Sequence, residues 1–352
     1  MKILIVNPFG IGDVLFTTPL IHSIKENVSN VFIGYWCNER VSPILENNLY
    51  IDKIINASRG DIKRISKESK IKALKVFFSI LGKIKKEKFD LAIDLSLDHR
   101  YSLILKILGV KRRIGYDYKN RGRFLTEKIT LDTYKNKHII EYYNELLKFL
   151  NIKIAVKNMD LFIDDTDKAW AEKFIKENNI KDSDYVISVV PGAGGSWRKD
   201  ASLKHWPPEC FAKLINLLIE KNKTKIIILG DINDQEICQK VKNLVSFDII
   251  NGCGKTTLGQ FASILAKSNM LITNDGGPLH MAVALGIKTV SIFGPVSELV
   301  YGPYPPSQNH LVIKKDISCR PCYKNFKMPE CKENRICVND ISPEEVYQEI
   351  KL

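Results

Sequence analysis

The stretch ITNDGGPLHMAVALG, residues 272–286, decides the fold, because it combines the end of a buried strand, a turn and a helix. Pro278 suits the first turn of the helix, where its missing N–H leaves no bond unsatisfied. The two glycines before it let a ligand approach the backbone, and N–H groups at a helix start attract phosphate. Asp275 and His280 flank this point. The pattern favours a ligand site, with an ordinary strand–turn–helix joint and a capping Asp as the alternative.

The sequence around this stretch alternates strands and helices as βαβαβαβ, which predicts a parallel sheet with right-handed crossovers. Ligands of such sheets bind beside the carboxyl ends of the strands. The predicted strands of this half are YVISVV, KIIILG, FDII, MLIT and KTVSIFG. The predicted helices span about residues 208–221, 234–244 and 258–267, and the last one begins at Pro278.

The N-terminal half shows the same alternation, with the predicted strands KILIV, NVFIGYW, IDKIIN and FDLAIDLS. Residues 151–183 are polar and lack long periodic segments, as expected of a domain boundary. We therefore predict an α/β protein of two doubly wound, Rossmann-like domains, residues 1–165 and 166–352, whose loops face a shared interdomain cleft.

The composition is typical of a globular protein, since 45% of the 352 residues are hydrophobic and 26% are charged. No apolar run approaches the ~20 residues that span a bilayer. The first residues, MKILIVNPFG, predict a strand rather than a signal peptide. These features predict a cytoplasmic protein. A location at the inner face of the inner membrane is also consistent with them.

The net charge of +13 is concentrated in residues 59–88 and 111–137. Such charge favours an anionic partner, either a phosphorylated glycolipid or a membrane surface in peripheral contact. A surface that is simply rich in lysine is the alternative. No nucleic-acid partner is expected, because the sequence has no nucleic-acid-binding motif.

A basic helix between the third and fourth strands carries an apolar stripe along one side. The stripe consists of Ile71, Leu74, Phe77, Phe78, Leu81 and Ile84. Contact with a membrane interface is one interpretation. A side that faces the core is the more usual role of such a stripe, and we favour it here.

The loop after the first strand contains Gly10, Gly12 and Asp13. It lacks the glycine pattern of dinucleotide-binding folds, and the chain has no P-loop motif. Asp13 has two interpretations at this stage. Its side chain caps the following helix, or its carboxylate serves as a general base beside the cleft.

The stretch PGAGGSWRKDASLKHWPPECF, residues 191–211, predicts a phosphate-binding loop. Its glycines expose backbone amides, and Arg198, Lys199 and Lys204 add positive charge, which together can hold phosphate without a metal. A basic surface loop without a ligand is the alternative, although it explains the ending His-Trp-Pro less well.

Three blocks together resemble the heptosyltransferase family of glycosyltransferases: GIGDVLFTTP, SLKHWPPECFAKL, and TNDGGPLHMAVALG followed by IFGP. The resemblance extends over nearly the whole chain, and the blocks stand in the family's order. It implies a GT-B fold, in which the first domain binds the acceptor and the second binds the nucleotide-sugar donor. It also implies inverting transfer of heptose from ADP-heptose to an anionic glycolipid, the lipopolysaccharide inner core, with no cofactor required for catalysis.

The resemblance also implies residue roles. Asp13 matches the catalytic base, and Lys204 matches the lysine that contacts the donor phosphates. The loop before Lys204 is longer than in the family. The resemblance therefore does not determine which side chain of this loop contacts phosphate through its hydroxyl or amine. The other implied donor-binding residues are Asp234 for the ribose, Thr256 at the adenine, Asp275, Gly276, Gly277 and His280 around sugar and pyrophosphate, and Ser196, Lys199 or Ser202 for phosphate. Those implied on the acceptor side are Gly10, Gly12 and Arg113.

Two other functions remain open at the level of sequence. One is a GT-B transferase that uses another nucleotide sugar or a protein acceptor. The other is a nucleotide-sugar-binding protein without turnover, against which the presence of Asp13 with Lys204 and Asp275 argues.

Four clustered cysteines, Cys319, Cys322, Cys331 and Cys337, lie beyond the last predicted strand. Such spacing can enclose a structural zinc or iron. A metal would replace the apolar core that this segment is expected to lack. Disulfides and four free thiols are the alternatives. A reducing cytosol argues against disulfides, and the uneven second spacing argues against the metal.

Overall fold

The computed structural model describes residues 1–56, 58–192 and 198–352, with only the backbone described for residues 198–200. The chain divides into two compact units, Met1–Phe162 and Ile163–Leu352. The boundary drawn from the sequence, after residue 165, falls in the first turn of a helix, Asp165–Glu177, that the sequence did not predict.

The N-terminal unit is built on one parallel sheet with helices between its strands. The strands are β1 (Lys2–Val6), β2 (Phe32–Cys37), β3 (Lys53–Asn56), β4 (Leu91–Asp94), β5 (Arg112–Tyr118) and β6 (Glu127–Leu131). The helices are α1 (Ile11–Leu15), α2 (Thr18–Asn27), α3 (Arg59–Glu68), α4 (Lys70–Glu87), α5 (His99–Ile107) and α6 (Ile139–Glu145). The order across the sheet is β3-β2-β1-β4-β5-β6.

The C-terminal unit repeats this plan. Its strands are β7 (Val186–Val190), β8 (Lys225–Ile228), β9 (Ile250–Asn251), β10 (Met270–Asn274), β11 (Lys288–Phe293) and β12 (His310–Lys314). Its helices are α7 (Asp165–Glu177), α8 (Pro208–Asn222), α9 (Gln235–Leu244), α10 (Leu258–Ala266), α11 (Gly277–Ala284), α12 (Glu298–Tyr301), α13 (Ile336–Asn339) and α14 (Pro343–Glu349). The order across the sheet is β12-β11-β10-β7-β8-β9.

Both sheets therefore have the strand order of a doubly wound fold, in which the first and fourth strands of the unit are neighbours. The central strands are buried on both faces and read as nearly continuous apolar runs, as expected of a parallel sheet covered by helices. The predicted fold class, two Rossmann-like domains, is confirmed.

The end of the C-terminal segment, from Cys337 onwards, is fixed by apolar packing. Cys337, Val338, Ile341 and Val346 are all buried in the core of the C-terminal unit. The indole Nε1–H of Trp206, itself fully buried, donates to the carbonyl oxygen of Ile341 at 2.9 Å. The chain from Cys337 onwards is therefore held by the core of the C-terminal unit, whereas residues 319–336, which contain the other three clustered cysteines, include no buried residue.

Helix α4 shows a different side to the core than expected. Of the six stripe residues, only Ile84 is buried, whereas Ile71, Leu74 and Phe78 are exposed. The side that packs against the core contains Ala73, Ile80 and Ile84. Among the described residues, no helix combines the length and the hydropathy that a membrane crossing requires.

Candidate functional site

In each unit the strand order reverses beside the first strand, and such a switch point opens a crevice at the carboxyl ends of the strands. In the C-terminal unit the crevice lies between the loops that follow β7 and β10. These loops begin at Pro191 and Asp275. Among the predicted donor residues, Asp275, Gly276 and Gly277 therefore lie at the position where this type of fold binds ligands.

Lys204 and Asp275 form a buried ion pair at this crevice. The Lys204 Nζ lies 2.5 Å from Oδ2 of Asp275, and the two side chains are only 4% and 5% exposed. Nζ also lies 3.5 Å from the backbone oxygen of Asp275. A buried ammonium is tolerated when a carboxylate and backbone dipoles surround it. The pair is neutral as a whole, and it holds the Lys204 ammonium next to the start of α11, whose free N–H groups attract an anionic group.

Asn274, which the sequence analysis did not single out, holds the same region together. Its Oδ1 accepts the backbone N–H of Trp206 at 2.9 Å. Its Nδ2 donates to the carbonyl oxygens of Pro191 at 2.7 Å and Gly192 at 3.3 Å. The side chain is fully buried. Asn274 thus joins both ends of the segment that runs from β7 to Lys204.

Replacement of Asn274 by Ala is expected to lower the free energy of unfolding by about 2–4 kcal/mol, because it leaves a buried N–H and two carbonyls without a partner. The affinity for ADP should fall as well, since the segment before Lys204 loses its anchor. Asn216→Ala is the matched control, because this half-buried side chain of α8 bonds only to Ser246 among the described residues. Equilibrium denaturation and calorimetric titration measure both effects, and an Asn274→Ala protein with unchanged ADP affinity would exclude the anchoring role.

Helix α11 carries the remaining predicted residues of this stretch. Gly276 and Gly277 lie at its start, and His280 is buried within it. Burial, and then the charge of Lys204, lower the pKa of His280 to about 3. The imidazole is therefore neutral at physiological pH, so that it offers a hydrogen bond rather than a second positive charge.

The buried histidine makes stability depend on pH. The folded-state pKa of His280, about 3, lies below the ordinary histidine value of 6.5, so below pH 6.5 the unfolded chain takes up a proton that the folded chain does not bind. Stability is therefore lost as the pH falls from about 6.5 towards 3, by about 2–3 kcal/mol for this group at pH 4.5. His280→Gln should lose less stability over this range in denaturation experiments than the wild type, whereas the partly exposed control His99→Gln should follow the wild type. Equal losses in all three proteins would contradict the effect.

Asp234 lies under the loop that follows β7. Its Oδ2 accepts the backbone N–H of Asp231 at 3.1 Å, and the residue is 6% exposed. A Cβ placed on Gly192 would come within 2.0 Å of its Oδ1, so glycine permits this close approach. These contacts assign Asp234 a role in supporting the loop, and its contact with a ribose stays a prediction.

The structure describes only some of the other predicted donor contacts. Thr256 is half-buried in the loop between β9 and α10, next to Thr257, whose side chain caps α10. Ser196 lies outside the described residues, and the Lys199 side chain is not described either. Ser202 is exposed in the short 3-10 segment Arg198–Lys204. The choice among these phosphate contacts therefore stays open.

Asp13 lies in the short helix α1, which follows β1 in the chain. Its Oδ2 accepts the backbone N–H of Gly10 at 3.1 Å, which is a helix-capping contact. The Asn7 Nδ2 donates to the Asp13 carbonyl oxygen at 2.9 Å and fixes the backbone there. A carboxylate has about four acceptor sites, more than a single helix-capping bond uses. The residue is half-buried. Capping is therefore present, and the role of base stays a prediction.

The acceptor-side predictions differ in what the structure assigns to them. Gly10 and Gly12 lie at the start of α1 with Asp13 and are half-buried. Arg113 is buried in β5, where its guanidinium donates to the carbonyl oxygens of Val110, Lys111 and Phe124. Its contacts hold the flanks of β5, so the structure gives no support to its predicted contact with an acceptor.

The four clustered cysteines are free thiols. The Cys322 thiol donates to the Cys319 carbonyl at 3.0 Å, and the Cys331 sulfur accepts the Arg335 N–H at 3.2 Å. No group of three or more His, Cys, Asp or Glu in the described part of the chain is arranged to hold a metal ion. The described arrangement gives no support to a zinc or iron centre, and the structural metal stays a prediction.

Comparison of the whole chain with known proteins identifies a protein family that it matches. The family model "Glycosyltransferase family 9 (heptosyltransferase)" matches residues 77–333. A curated relative, lipooligosaccharide heptosyltransferase 2 of Campylobacter jejuni, is 28% identical over 356 residues, which cover 100% of this chain and 98% of the relative.

Two solved structures share the fold. One is a family 9 glycosyltransferase of Veillonella parvula, with a TM-score of 0.83, 24% identity, and coverage of 99% of this chain and 95% of that one. The other is the ADP-heptose lipopolysaccharide heptosyltransferase II of Escherichia coli, with a TM-score of 0.77, 20% identity, and coverage of 99% and 97%. The predicted GT-B fold is confirmed.

Proposed function

The chain belongs to glycosyltransferase family 9, the heptosyltransferases, and from this membership we propose that it transfers heptose from ADP-heptose, with inversion, to a lipopolysaccharide or lipooligosaccharide inner core. The donor is proposed from the name of the Escherichia coli relative, and the acceptor from the names of both curated and solved relatives. The buried Lys204–Asp275 pair at the switch point of the second sheet is the observation that supports the proposal most.

In the proposed donor site, Lys204 and the start of α11 stabilise the diphosphate. Negative charge on the diphosphate grows as the bond to the sugar breaks, so a fixed cation and aligned N–H groups stabilise the transition state more than the ground state. The neutral imidazole of His280 adds a hydrogen bond. This arrangement supports a donor with a diphosphate and is consistent with chemistry that requires no cofactor.

In the proposed reaction, the Asp13 carboxylate takes the proton from an acceptor hydroxyl. The hydroxyl oxygen then forms a bond to the anomeric carbon from the face opposite the diphosphate. The bond between that carbon and the diphosphate oxygen breaks, and ADP leaves with the electron pair. A single displacement of this kind inverts the configuration at the anomeric carbon.

A nucleotide survey tests the donor class. A ligand at 100 times its dissociation constant stabilises the folded protein by about 2.7 kcal/mol, so thermal unfolding of the full chain distinguishes binders from non-binders. ADP and ADP-heptose should raise the unfolding temperature more than UDP or GDP at the same concentration. A larger shift with UDP or GDP would refute the proposed donor.

A further inference from the structure

Helix α4 carries an apolar strip that faces solvent, formed by Ile71, Leu74 and Phe78. These side chains are 70%, 55% and 64% exposed. Their spacing of three and four residues places them on one face of the helix. The opposite side is anchored in the core through Ile80 and Ile84, which are 3% and 1% exposed. Helix α4 therefore cannot rotate to bury the strip without exposing Ile80 and Ile84.

The helical hairpin α3–α4 around this strip is strongly basic. Residues 59–88 contain eleven Lys or Arg and only three Asp or Glu. Two of the acidic residues are already engaged, since Asp61 caps α3 and Glu87 pairs with Lys2 and Lys53. In the described part of the chain, nine lysines of this hairpin have no carboxylate within ion-pair distance: Lys63, Lys67, Lys70, Lys72, Lys75, Lys83, Lys85, Lys86 and Lys88.

We propose that the α3–α4 hairpin docks on the surface of an anionic lipid bilayer, with Ile71, Leu74 and Phe78 inserted among the lipids and the surrounding lysines at the headgroups. The inference goes beyond the proposed transfer reaction and does not depend on it. It rests on the combination of exposed apolar side chains on α4 with unpaired positive charge on both helices of the hairpin.

The shape of this part of the surface favours a lipid bilayer rather than a protein as the partner. The strip lies on the outside of a single helix, so it offers a ridge rather than a groove for another chain. A helix lying in the membrane interface buries its apolar side chains about 5–10 Å deep. Lysine stems can run along the apolar strip while their ammonium groups reach the phosphates, and each lysine near an anionic leaflet strengthens the attraction.

Vesicle sedimentation with the full chain tests the apolar part of the proposal. The wild type should bind vesicles that mix phosphatidylglycerol with phosphatidylcholine, and bind phosphatidylcholine vesicles much less. The triple variant Ile71→Ser, Leu74→Ser, Phe78→Ser should bind the mixed vesicles at least about tenfold more weakly, because three apolar side chains no longer insert. The matched control Leu49→Ser, Leu244→Ser, Leu299→Ser removes exposed leucines elsewhere and should bind like the wild type.

A second pair of variants tests the charge. Lys67→Glu, Lys70→Glu, Lys75→Glu should weaken binding about tenfold or more. Lys176→Glu, Lys181→Glu, Lys221→Glu changes the net charge equally on the other unit and should bind like the wild type. The unfolding temperature of each variant confirms that it folds. Three results would overturn the proposal. They are no binding of the wild type to the anionic vesicles, binding of the strip variant at the wild-type level, and equal losses of vesicle binding in the two sets of lysine variants.

Discussion

Replacement of Asp13 by Asn is expected to lower kcat by about 10²–10⁴-fold while ADP affinity and stability stay near those of the wild type. Asparagine keeps an oxygen that can accept the Gly10 N–H, so the helix cap survives. It cannot take a proton from the acceptor hydroxyl, so the base is lost. Initial rates of ADP release at saturating substrates measure the effect.

A capping aspartate elsewhere is the control for this substitution. Asp164 caps α7 by accepting the Asp167 N–H at 2.7 Å, and Asp164→Asn should leave turnover unchanged. If Asp13→Asn also turned over at nearly the wild-type rate, capping would be the whole role of Asp13, and the catalytic assignment would be wrong.

Replacement of Lys204 by Met should affect both stability and binding. It leaves the Asp275 carboxylate buried without its cation, which costs about 3–5 kcal/mol of stability. It also removes the charge proposed to face the donor diphosphate, so ADP affinity should fall by about 10–100-fold. Chemical denaturation and calorimetric titration report the two effects separately.

A second substitution separates the two effects. In Lys204→Met with Asp275→Asn, no unpaired charge remains buried, so much of the stability should return while ADP affinity stays low. Lys267→Met is the control, because its pair with Glu172 lies at the surface of the same unit. Recovery of ADP affinity along with stability would show that Lys204 acts only as structural support.

The sequence predicted the buried central strands well, because continuous apolar runs between turns have few other uses. It did not predict β6 and β12, each of which lies at one of the two edges of its sheet and whose sequences EKITL and HLVIK are short and partly exposed. It also missed β5, where charged residues interrupt the apolar pattern. Helix α7 escaped prediction because only Ala171 of its residues is buried, so the pattern of an inward face is faint.

Parts of the candidate site could not be predicted from local sequence. The pairing of Lys204 with Asp275 joins residues 71 positions apart and depends on the neighbouring positions of β7 and β10. The role of Asn274 depends equally on tertiary contacts. The stripe on α4 shows a different limit of prediction from sequence. Its periodicity is compatible both with a side that faces the core and with a side that faces solvent, and only the tertiary structure distinguishes the two.

One assay tests the central claim most directly. The purified chain is incubated with ADP-heptose and a lipopolysaccharide inner core that lacks heptose, in the presence of EDTA. The account predicts release of ADP together with an acceptor that is heavier by one heptose, linked with inverted anomeric configuration. Binding of ADP-heptose without transfer, transfer only from another nucleotide sugar, or retention of configuration would contradict it.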